Sequence, residues 1–166
     1  MPNEELQHAF FIKTSEILED AGYVHYEVSN FAKDMSLASQ HNQKYWNHTP
    51  YLGLGPAAHS FTGHTRWWNH SSLDEYIRDI EMGKQPLSAS EMLNREQLYL
   101  EALFLGLRTK RGLHLHNFSD KYGYDLISEK GDALRRLAKV GFIEIKNGYL
   151  QPTRTGLAVA DTLALI

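Results

Sequence analysis

The N-terminal segment carries apolar residues at helical spacing, followed by a run of strand-forming residues. The apolar positions between residues 3 and 20 are Leu6, Phe10, Ile17 and Leu18. This pattern predicts an amphipathic helix that has Asn3 as its N-cap and ends at Gly22. Residues 23–28, YVHYEV, are rich in aromatic and β-branched side chains and predict a strand. Helix, glycine turn and strand in this order predict one αβ unit of a parallel sheet.

A second strand is predicted within a longer polar stretch. The run YLGLG at residues 51–55 is apolar and short, which is typical of a brief buried strand. Residues 29–49 are polar and irregular, and the segment is long enough to be functional rather than a plain connection. After a further loop, a helix is predicted to start at Ser71 or Ser72 and to end at Gly83.

The pattern changes after residue 86, where Lys84-Gln85-Pro86 is typical of a linker. We therefore predict two domains, 1–86 and 87–166. The elements predicted in the second domain are helices over 91–107, 115–122 and 127–140, strands over 142–145 and 149–151, and a final helix from Thr153. Asn147-Gly148 predicts a tight hairpin between the two strands. Three helices, a hairpin and a closing helix are typical of a winged-helix-like domain.

Composition limits the possible function classes. The chain is 42% hydrophobic and 22% charged, as in folded soluble proteins, and no apolar run approaches the roughly 18 residues of a membrane span. The N-terminus does not resemble a secretory signal, so we expect a cytoplasmic protein. The absence of cysteine excludes disulfides, thiolate zinc sites and a cysteine-ligated iron–sulfur cluster within this chain.

The formal charge of −3 is unevenly distributed. Residues 1–86 hold six Lys and Arg against eleven Asp and Glu, whereas residues 87–166 hold eleven against nine. Neither half has the strongly basic surface of a nucleic-acid binder. Six histidines lie between His25 and His70, but their spacings of 16, 7, 11, 5 and 6 give no compact pair four residues apart and no HExxH motif. A native zinc site is therefore disfavoured.

Seven segments occur in an order that carries a family resemblance. They are GYVHYEVSNFA (22–32), HNQKYW (41–46), YLGLGPAAHSF (51–61), the pair Arg66 and Asn69, GLRTKRGL (106–113), LAKVGFIEI (137–145) and LQPTRTG (150–156). Together they resemble the C-terminal part of the oxygen-independent coproporphyrinogen III oxidase-like family of radical S-adenosylmethionine proteins. The resemblance is closest to the haem-chaperone branch of that family.

The resemblance implies an α/β fragment followed by a mainly α domain. Residues 1–86 would be the last portion of a partial (β/α) barrel, and residues 87–166 a winged-helix-like C-terminal domain. Complete family members bind S-adenosylmethionine and a 4Fe–4S cluster on a CxxxCxxC loop that this chain lacks. The chain would then be an excised fragment or a naturally shortened protein. We expect it to be catalytically inactive alone. We also expect self-association through residues 1–60, where barrel strands would have unpaired edges, or a local rearrangement there.

The segment HNQKYW is the candidate haem site implied by the resemblance. His41 would supply an axial imidazole to the iron. Asn42, Tyr45 and Trp46 complete the pattern, and the two aromatic side chains could pack against the porphyrin face. The alternative is structural: Tyr45 and Trp46 would anchor the loop to the core, and His41 would only form a hydrogen bond.

A second implied site is one edge of the S-adenosylmethionine pocket. The backbone at Phe31 and Ala32, just after the first predicted strand, would line the adenine end. Gly53 and Gly55 would shape the next strand end, where backbone or ligand can approach closely. Ala57 departs from the glycine or serine that the family usually has, and alanine tolerates a positive φ less well.

Three function classes follow. The first is a haem chaperone that binds and transfers haem, with haem or porphyrin as partner. The second is an oxygen-independent coproporphyrinogen III oxidase, which decarboxylates its substrate oxidatively. The third is a winged-helix module that binds DNA or another partner. The helix that would read DNA carries both signs of charge, which disfavours this third class: Lys130, Arg135, Arg136 and Lys139 against Glu129 and Asp132.

Overall fold

The computed structural model describes residues 2–165, and its first helix and strand lie where the sequence predicts them. Helix α1 spans Glu4–Asp20, and the Asn3 side chain accepts a hydrogen bond from the Leu6 amide at 2.9 Å. This cap satisfies one of the free amides of the first turn. Strand β1 follows at Val24–Glu27.

The predicted parallel αβ unit is wrong, because β1 pairs with the next strand as a hairpin. Strand β2, Asn30–Ala32, runs antiparallel to β1 in a two-stranded sheet. The Glu27 carboxylate closes the turn by accepting hydrogen bonds from the Ser29 amide at 2.9 Å and the Asn30 side chain at 2.6 Å. These bonds reverse the chain directly after β1.

Residues 29–49 are more regular than predicted. After β2 they form a 3₁₀ helix at Met35–Leu37 and helix α2 at Gln40–Trp46. Helix α2 begins after Ser39, whose hydroxyl accepts a hydrogen bond from the Asn42 amide at 3.2 Å. The HNQKYW segment therefore lies on a helix and not on an irregular loop.

The predicted buried strand at 51–55 is also wrong. Only Tyr51 forms a β-bridge, with Phe61, while Leu52 and Leu54 are 69% and 82% exposed. Extended backbone in this region instead forms an antiparallel sheet of three strands in the order β3-β4-β5. The strands are His59–Phe61 (β3), Thr65–Asn69 (β4) and Leu87–Met92 (β5).

Helix α3 connects the second and third strands of this sheet. It spans Leu73–Glu81 with Ser72 as its N-cap, as predicted. Gly83 follows with a φ of 68°, so the chain leaves the helix in the left-handed region that glycine favours. Strand β5 then pairs with β4. The predicted domain boundary after residue 86 therefore falls within a sheet, and a division at that residue stays a prediction.

The remaining elements follow the predicted order, except that α4 begins at Arg95 rather than at residue 91 and that β6 was not predicted. They are α4 (Arg95–Gly106), β6 (Leu113–His114), α5 (Leu115–Tyr122), α6 (Leu126–Lys139), β7 (Ile143–Lys146), β8 (Tyr149–Pro152), α7 (Arg154–Leu157) and α8 (Ala160–Leu163). The three strands form a sheet in the order β6-β8-β7. Asn147 and Gly148 both have positive φ, which confirms the tight hairpin between β7 and β8.

The main hydrophobic core lies in this second half. Its largest fully buried members include Leu103, Leu107, Leu134 and Leu150. A smaller apolar cluster consists of Tyr26 and Ala32 from the β1–β2 hairpin and of Ala38, which lies just before α2.

The two halves are joined by main-chain and ionic contacts. The Val28 amide donates to the Arg108 carbonyl at 3.0 Å, and the Lys110 amide donates to the Tyr26 carbonyl at 3.1 Å. The Glu19 carboxylate forms ion pairs with Lys110 and Arg154. No helix within residues 2–165 is long and apolar enough to cross a membrane.

Candidate functional site

Helix α2 is held in place by contacts with Tyr26 of strand β1. The Tyr26 hydroxyl accepts a hydrogen bond from the Ser39 amide at 3.2 Å, just before the helix begins. The Trp46 ring, at the other end, packs edge-on against the Tyr26 ring with centroids 5.9 Å apart. Both ends of α2 are therefore anchored to the small apolar cluster, and the outer face of the helix remains open.

His41 and Tyr45 lie together on α2, one turn apart. The Tyr45 hydroxyl is 3.2 Å from His41 Nε2, and the two rings meet edge to face with centroids 5.1 Å apart. Tyr45 in turn packs edge-on against Tyr51, at 4.7 Å. The His41 side chain is exposed, so its imidazole is accessible to a ligand, and the Tyr45 ring that contacts it is supported in turn by Tyr51.

The other two residues of the predicted haem site have different surroundings. Asn42 is half-buried, and its backbone amide is engaged by the Ser39 cap. Trp46 is also half-buried and packs on Tyr26. The structure thus brings His41 and Tyr45 into direct contact, whereas Trp46 anchors the helix; a porphyrin contact by Trp46 stays a prediction.

His48 is a buried histidine that the sequence analysis counted but did not assign to a site. It is 5% exposed, has a φ of 52°, and stacks on Phe61 with centroids 4.6 Å apart. Its Nδ1 lies 2.8 Å from the Tyr122 hydroxyl, and its Nε2 lies 3.6 Å from a Glu101 carboxylate oxygen. The positive φ and the partner 74 positions away leave no local signal in the sequence.

The two ring nitrogens of His48 face different partners. Burial raises the pKa of Tyr122 to about 12, so this hydroxyl keeps its proton and can donate it to Nδ1. Nε2 faces Glu101, a carboxylate that can only accept a hydrogen bond. At 3.6 Å this contact is longer than a hydrogen bond, and Nε2 is a buried polar atom without a partner among the described residues.

Glu101 is the acidic centre of this partly buried cluster. Burial alone would raise the pKa of its carboxyl, but the neighbouring His48 imidazole and Arg66 guanidinium outweigh burial and lower it. The Arg66 guanidinium also pairs with Glu91, at 3.4 Å. A cavity of about 110 Å³ lies between this cluster and α2, and Tyr45 and Tyr51 form part of its wall. The exposed His41 and the half-buried Tyr45 thus lie beside a small, partly buried ionic cluster.

The four residues predicted to edge the S-adenosylmethionine pocket lie in two different substructures. Phe31 stacks on His25 at 4.1 Å, and Ala32 is buried in the small cluster. The Gly53 amide donates to the Ser60 hydroxyl at 3.0 Å, and a Cβ added at Gly53 would lie 2.1 Å from the β3 backbone. The close approach at Gly53 is therefore to the chain itself.

Gly55 and Ala57 turn the chain between Tyr51 and β3. Gly55 has a φ of 104°, and its carbonyl accepts a hydrogen bond from the Asn69 side chain at 2.9 Å. Ala57 has a φ of 55°, a left-handed conformation that an alanine adopts only with strain. Within residues 2–165, no hydrogen bond or aromatic stack joins Gly53 or Gly55 to Phe31 or Ala32.

The available donors fit haem iron better than a resident metal ion or cluster. No group of three or more His, Asp or Glu side chains that could hold a metal ion occurs among the described residues. An iron–sulfur cluster does not fit either, because the chain has no thiolate to bind it. A single accessible imidazole beside aromatic rings, as at His41, does suit the axial position of a haem.

Comparison with known proteins identifies relatives along nearly the whole chain. Residues 93–159 match the family described as HemN C-terminal domain. The chain is 31% identical over 156 residues, 94% of its length, to heme chaperone HemW of Bacillus subtilis. It is also 31% identical over 176 aligned positions, 99% of its length, to the mitochondrial radical S-adenosyl methionine domain-containing protein 1 of Bos taurus.

A solved structure shows the same fold. The coproporphyrinogen III oxidase HemN from Escherichia coli, described as a radical SAM enzyme, matches 92% of this chain with a TM-score of 0.68 and 18% sequence identity. The match covers 38% of the HemN chain, and the chain spans 41% of the Bacillus relative. The chain therefore corresponds to about two fifths of each of these proteins.

Proposed function

Because the chain belongs to the HemN-like family of radical S-adenosylmethionine proteins, together with the HemW and radical S-adenosyl methionine domain-containing 1 proteins, we propose that it binds haem as a cargo on the outer face of α2. The observation that carries this proposal is the exposed His41 imidazole, which is paired with Tyr45 one turn along the helix. A haem carrier needs such an accessible ligand on a well-anchored element, since the cargo has to enter and leave.

Each residue near His41 has a role in this proposal. His41 ligates the iron through a ring nitrogen. The Tyr45 and Tyr51 rings offer an apolar surface to the porphyrin edge. Tyr26 and Trp46 keep α2 in place, so that ligand exchange at the iron does not require the helix to unfold.

The proposal also covers the cofactors and domains of full-length members of the family. We infer that S-adenosylmethionine and the 4Fe–4S cluster belong to full-length members of the family, with the backbone at Phe31 and Ala32 and the glycines Gly53 and Gly55 at the edge of the first of these sites. Residues 87–166 would form the winged-helix-like domain of such a protein. A cytoplasmic location agrees with this assignment.

A coproporphyrinogen oxidase activity has weaker support. Oxidative decarboxylation in this family depends on reductive cleavage of S-adenosylmethionine by the cluster, and these 166 residues have no cysteine to hold one. We therefore expect no S-adenosylmethionine cleavage by this chain under anaerobic reducing conditions. Cleavage products detected by mass spectrometry would contradict that expectation.

Haem titration followed by absorption spectroscopy tests the carrier proposal. We expect the 166-residue chain to shift the Soret band of haem, and His41→Ala to change both the band position and the affinity. His116→Ala is the matched control, because His116 is also an exposed helical histidine with a partner four residues along, Asp120 at 3.3 Å. An unchanged spectrum and affinity for His41→Ala would remove this residue from the site.

A further inference from the structure

A second cleft opens where the C-terminal end of α2 meets the corner between β6 and α5. Its volume is about 220 Å³. The walls come from Trp46 on α2, from Arg111 and His114 around β6, from Lys121 on α5 and from Tyr149 on β8. The cleft therefore shares one residue, Trp46, with the helix that carries the candidate haem ligand His41.

The charged side chains of this cleft are all basic. Lys121 and Arg111 both line it, and none of the described residues that line it is acidic. The Lys121 ammonium donates a hydrogen bond to the His48 carbonyl at 3.2 Å, and the Arg111 guanidinium donates to the Tyr149 hydroxyl at 3.4 Å. Both cations are held by neutral partners, so their charge is available to an anion.

The electrostatics of Lys121 agree with this geometry. Burial lowers the pKa of its ammonium, and no neighbouring carboxylate offsets the effect. An oxyanion bound in the cleft would give the Lys121 ammonium the negatively charged partner that it lacks there. Arg111 adds a planar guanidinium, which suits a carboxylate well because it can donate two parallel hydrogen bonds.

The size and walls of the cleft indicate which part of a ligand it can hold. Pockets that enclose a whole small molecule are usually about 300–1,000 Å³. At about 220 Å³ the cleft is too small for a complete tetrapyrrole but large enough for a side group with its carboxylate. Trp46 and Tyr149 provide flat aromatic walls next to the two cations.

We propose that this cleft is an oxyanion site in which Arg111 and Lys121 bind one carboxylate of the tetrapyrrole held at α2. This inference rests on the proposed haem binding, because Trp46 forms part of both α2 and the cleft wall. A carboxylate fixed here would hold one edge of the ring system, while His41 ligates the iron. The same chemistry would accept inorganic phosphate, so the test has to separate the two.

The test compares haem with its dimethyl ester, which keeps the iron and the ring but has no free carboxylate. We expect Lys121→Met and Arg111→Gln each to weaken haem binding by about tenfold or more, since a charge-assisted hydrogen bond is lost. The same variants should bind the dimethyl ester as well as the unaltered chain does. Lys121→Arg keeps the positive charge and should bind haem as the unaltered chain does. Lys139→Met, which removes an exposed lysine at the end of α6, should have no effect on haem binding. Circular dichroism checks that each variant is folded.

The outcomes separate this inference from the carrier proposal. If neither haem nor its ester binds, haem binding itself fails. If both bind with equal affinity to the unaltered chain and to the Lys121 and Arg111 variants, haem binding stands and the carboxylate site is overturned. Phosphate binding that depends on Lys121, together with equal haem and ester affinities, would assign the cleft to free phosphate and also overturn the proposal.

Discussion

The residues before and after position 93 are stabilised in different ways. The C-terminal region, 93–165, has one contiguous core of leucines and aromatics. The N-terminal region, 2–92, has only a small cluster around Tyr26, and it carries thirteen of the nineteen large hydrophobic side chains that are exposed. Aromatic pairs, caps and ion pairs hold it together instead. The candidate haem ligand thus lies in the region with little core, supported by the region with most of it.

This difference suggests a surface for contacts outside the chain. Contiguous exposed apolar patches on soluble proteins usually mark interaction sites. Leu52 and Leu54 in the loop before β3, together with Ile77 and Ile80 on α3, are exposed side chains of this kind. The self-association predicted for residues 1–60 would use such a surface and stays a prediction.

The largest expected effect comes from leucine truncation in the two regions. Leu103 is 1% exposed and Leu54 is 82% exposed. Leu103→Ala should lower the free energy of unfolding by about 2–5 kcal/mol, because it removes buried methyl groups and leaves a cavity. Leu54→Ala should stay within about 0.5 kcal/mol. Urea unfolding followed by circular dichroism measures both values. Equal losses of the free energy of unfolding would show that the two regions do not differ in this way.

A smaller effect concerns the pH dependence of the N-terminal region. His25 is 1% exposed, its Nδ1 lies 3.0 Å from the Ser15 hydroxyl, and burial lowers the pKa of its imidazole below the usual value of 6.5. The unfolded chain therefore binds this proton more readily than the folded chain. The free energy of unfolding should be highest above about pH 6.5 and should fall as the pH is lowered through the folded pKa.

His25→Gln tests this dependence, because glutamine cannot take up the proton. Thermal unfolding between pH 7 and pH 5 should show a shallower loss of stability for this variant than for the unaltered chain. His116→Ala, at an exposed position, should leave the slope unchanged. A slope that is identical in all three proteins would show that His25 does not titrate in this range.

The smallest expected effect is a gain of stability. Ala57 has a φ of 55°, and a Cβ in this conformation costs roughly 1 kcal/mol relative to glycine. Ala57→Gly should therefore raise the free energy of unfolding by up to about 1 kcal/mol, reduced by the extra flexibility of glycine in the unfolded chain. Ala133→Gly on helix α6 is a control with the opposite expected sign and should lower the free energy of unfolding by a similar amount. A destabilised Ala57→Gly protein would contradict the strain at this position.

The sequence predicted the C-terminal region well because its signals are local. Gly123 ends α5 in the left-handed conformation, and Asp125 caps α6 through the amides of Ile127 and Ser128. Asn147-Gly148 forms the predicted hairpin turn. Each of these signals lies within a few residues of the element it limits.

The N-terminal region was harder to predict because its strands depend on partners distant in sequence. The β4 sequence TRWWN is only half-buried except for Asn69, and β5 is mostly exposed, so neither has a clear apolar pattern. The run at 51–55 has such a pattern, yet two of its leucines face solvent. Helix α2 depends on Tyr26 from β1, and the buried His48 depends on Tyr122. No pattern within a short window carries this information.

The contacts between β1 and the turn at 108–110 also bear on how the family can evolve. They join Val28 to Arg108 and Lys110 to Tyr26 through main-chain groups. Every amino acid supplies these groups, except that proline lacks the amide. The side chain of Val28 is therefore not needed for its bond, whereas Tyr26 remains necessary because its hydroxyl and ring hold α2. A proline at Val28 or Lys110 would remove one of the two amides, so we expect it to weaken the joint between the two regions.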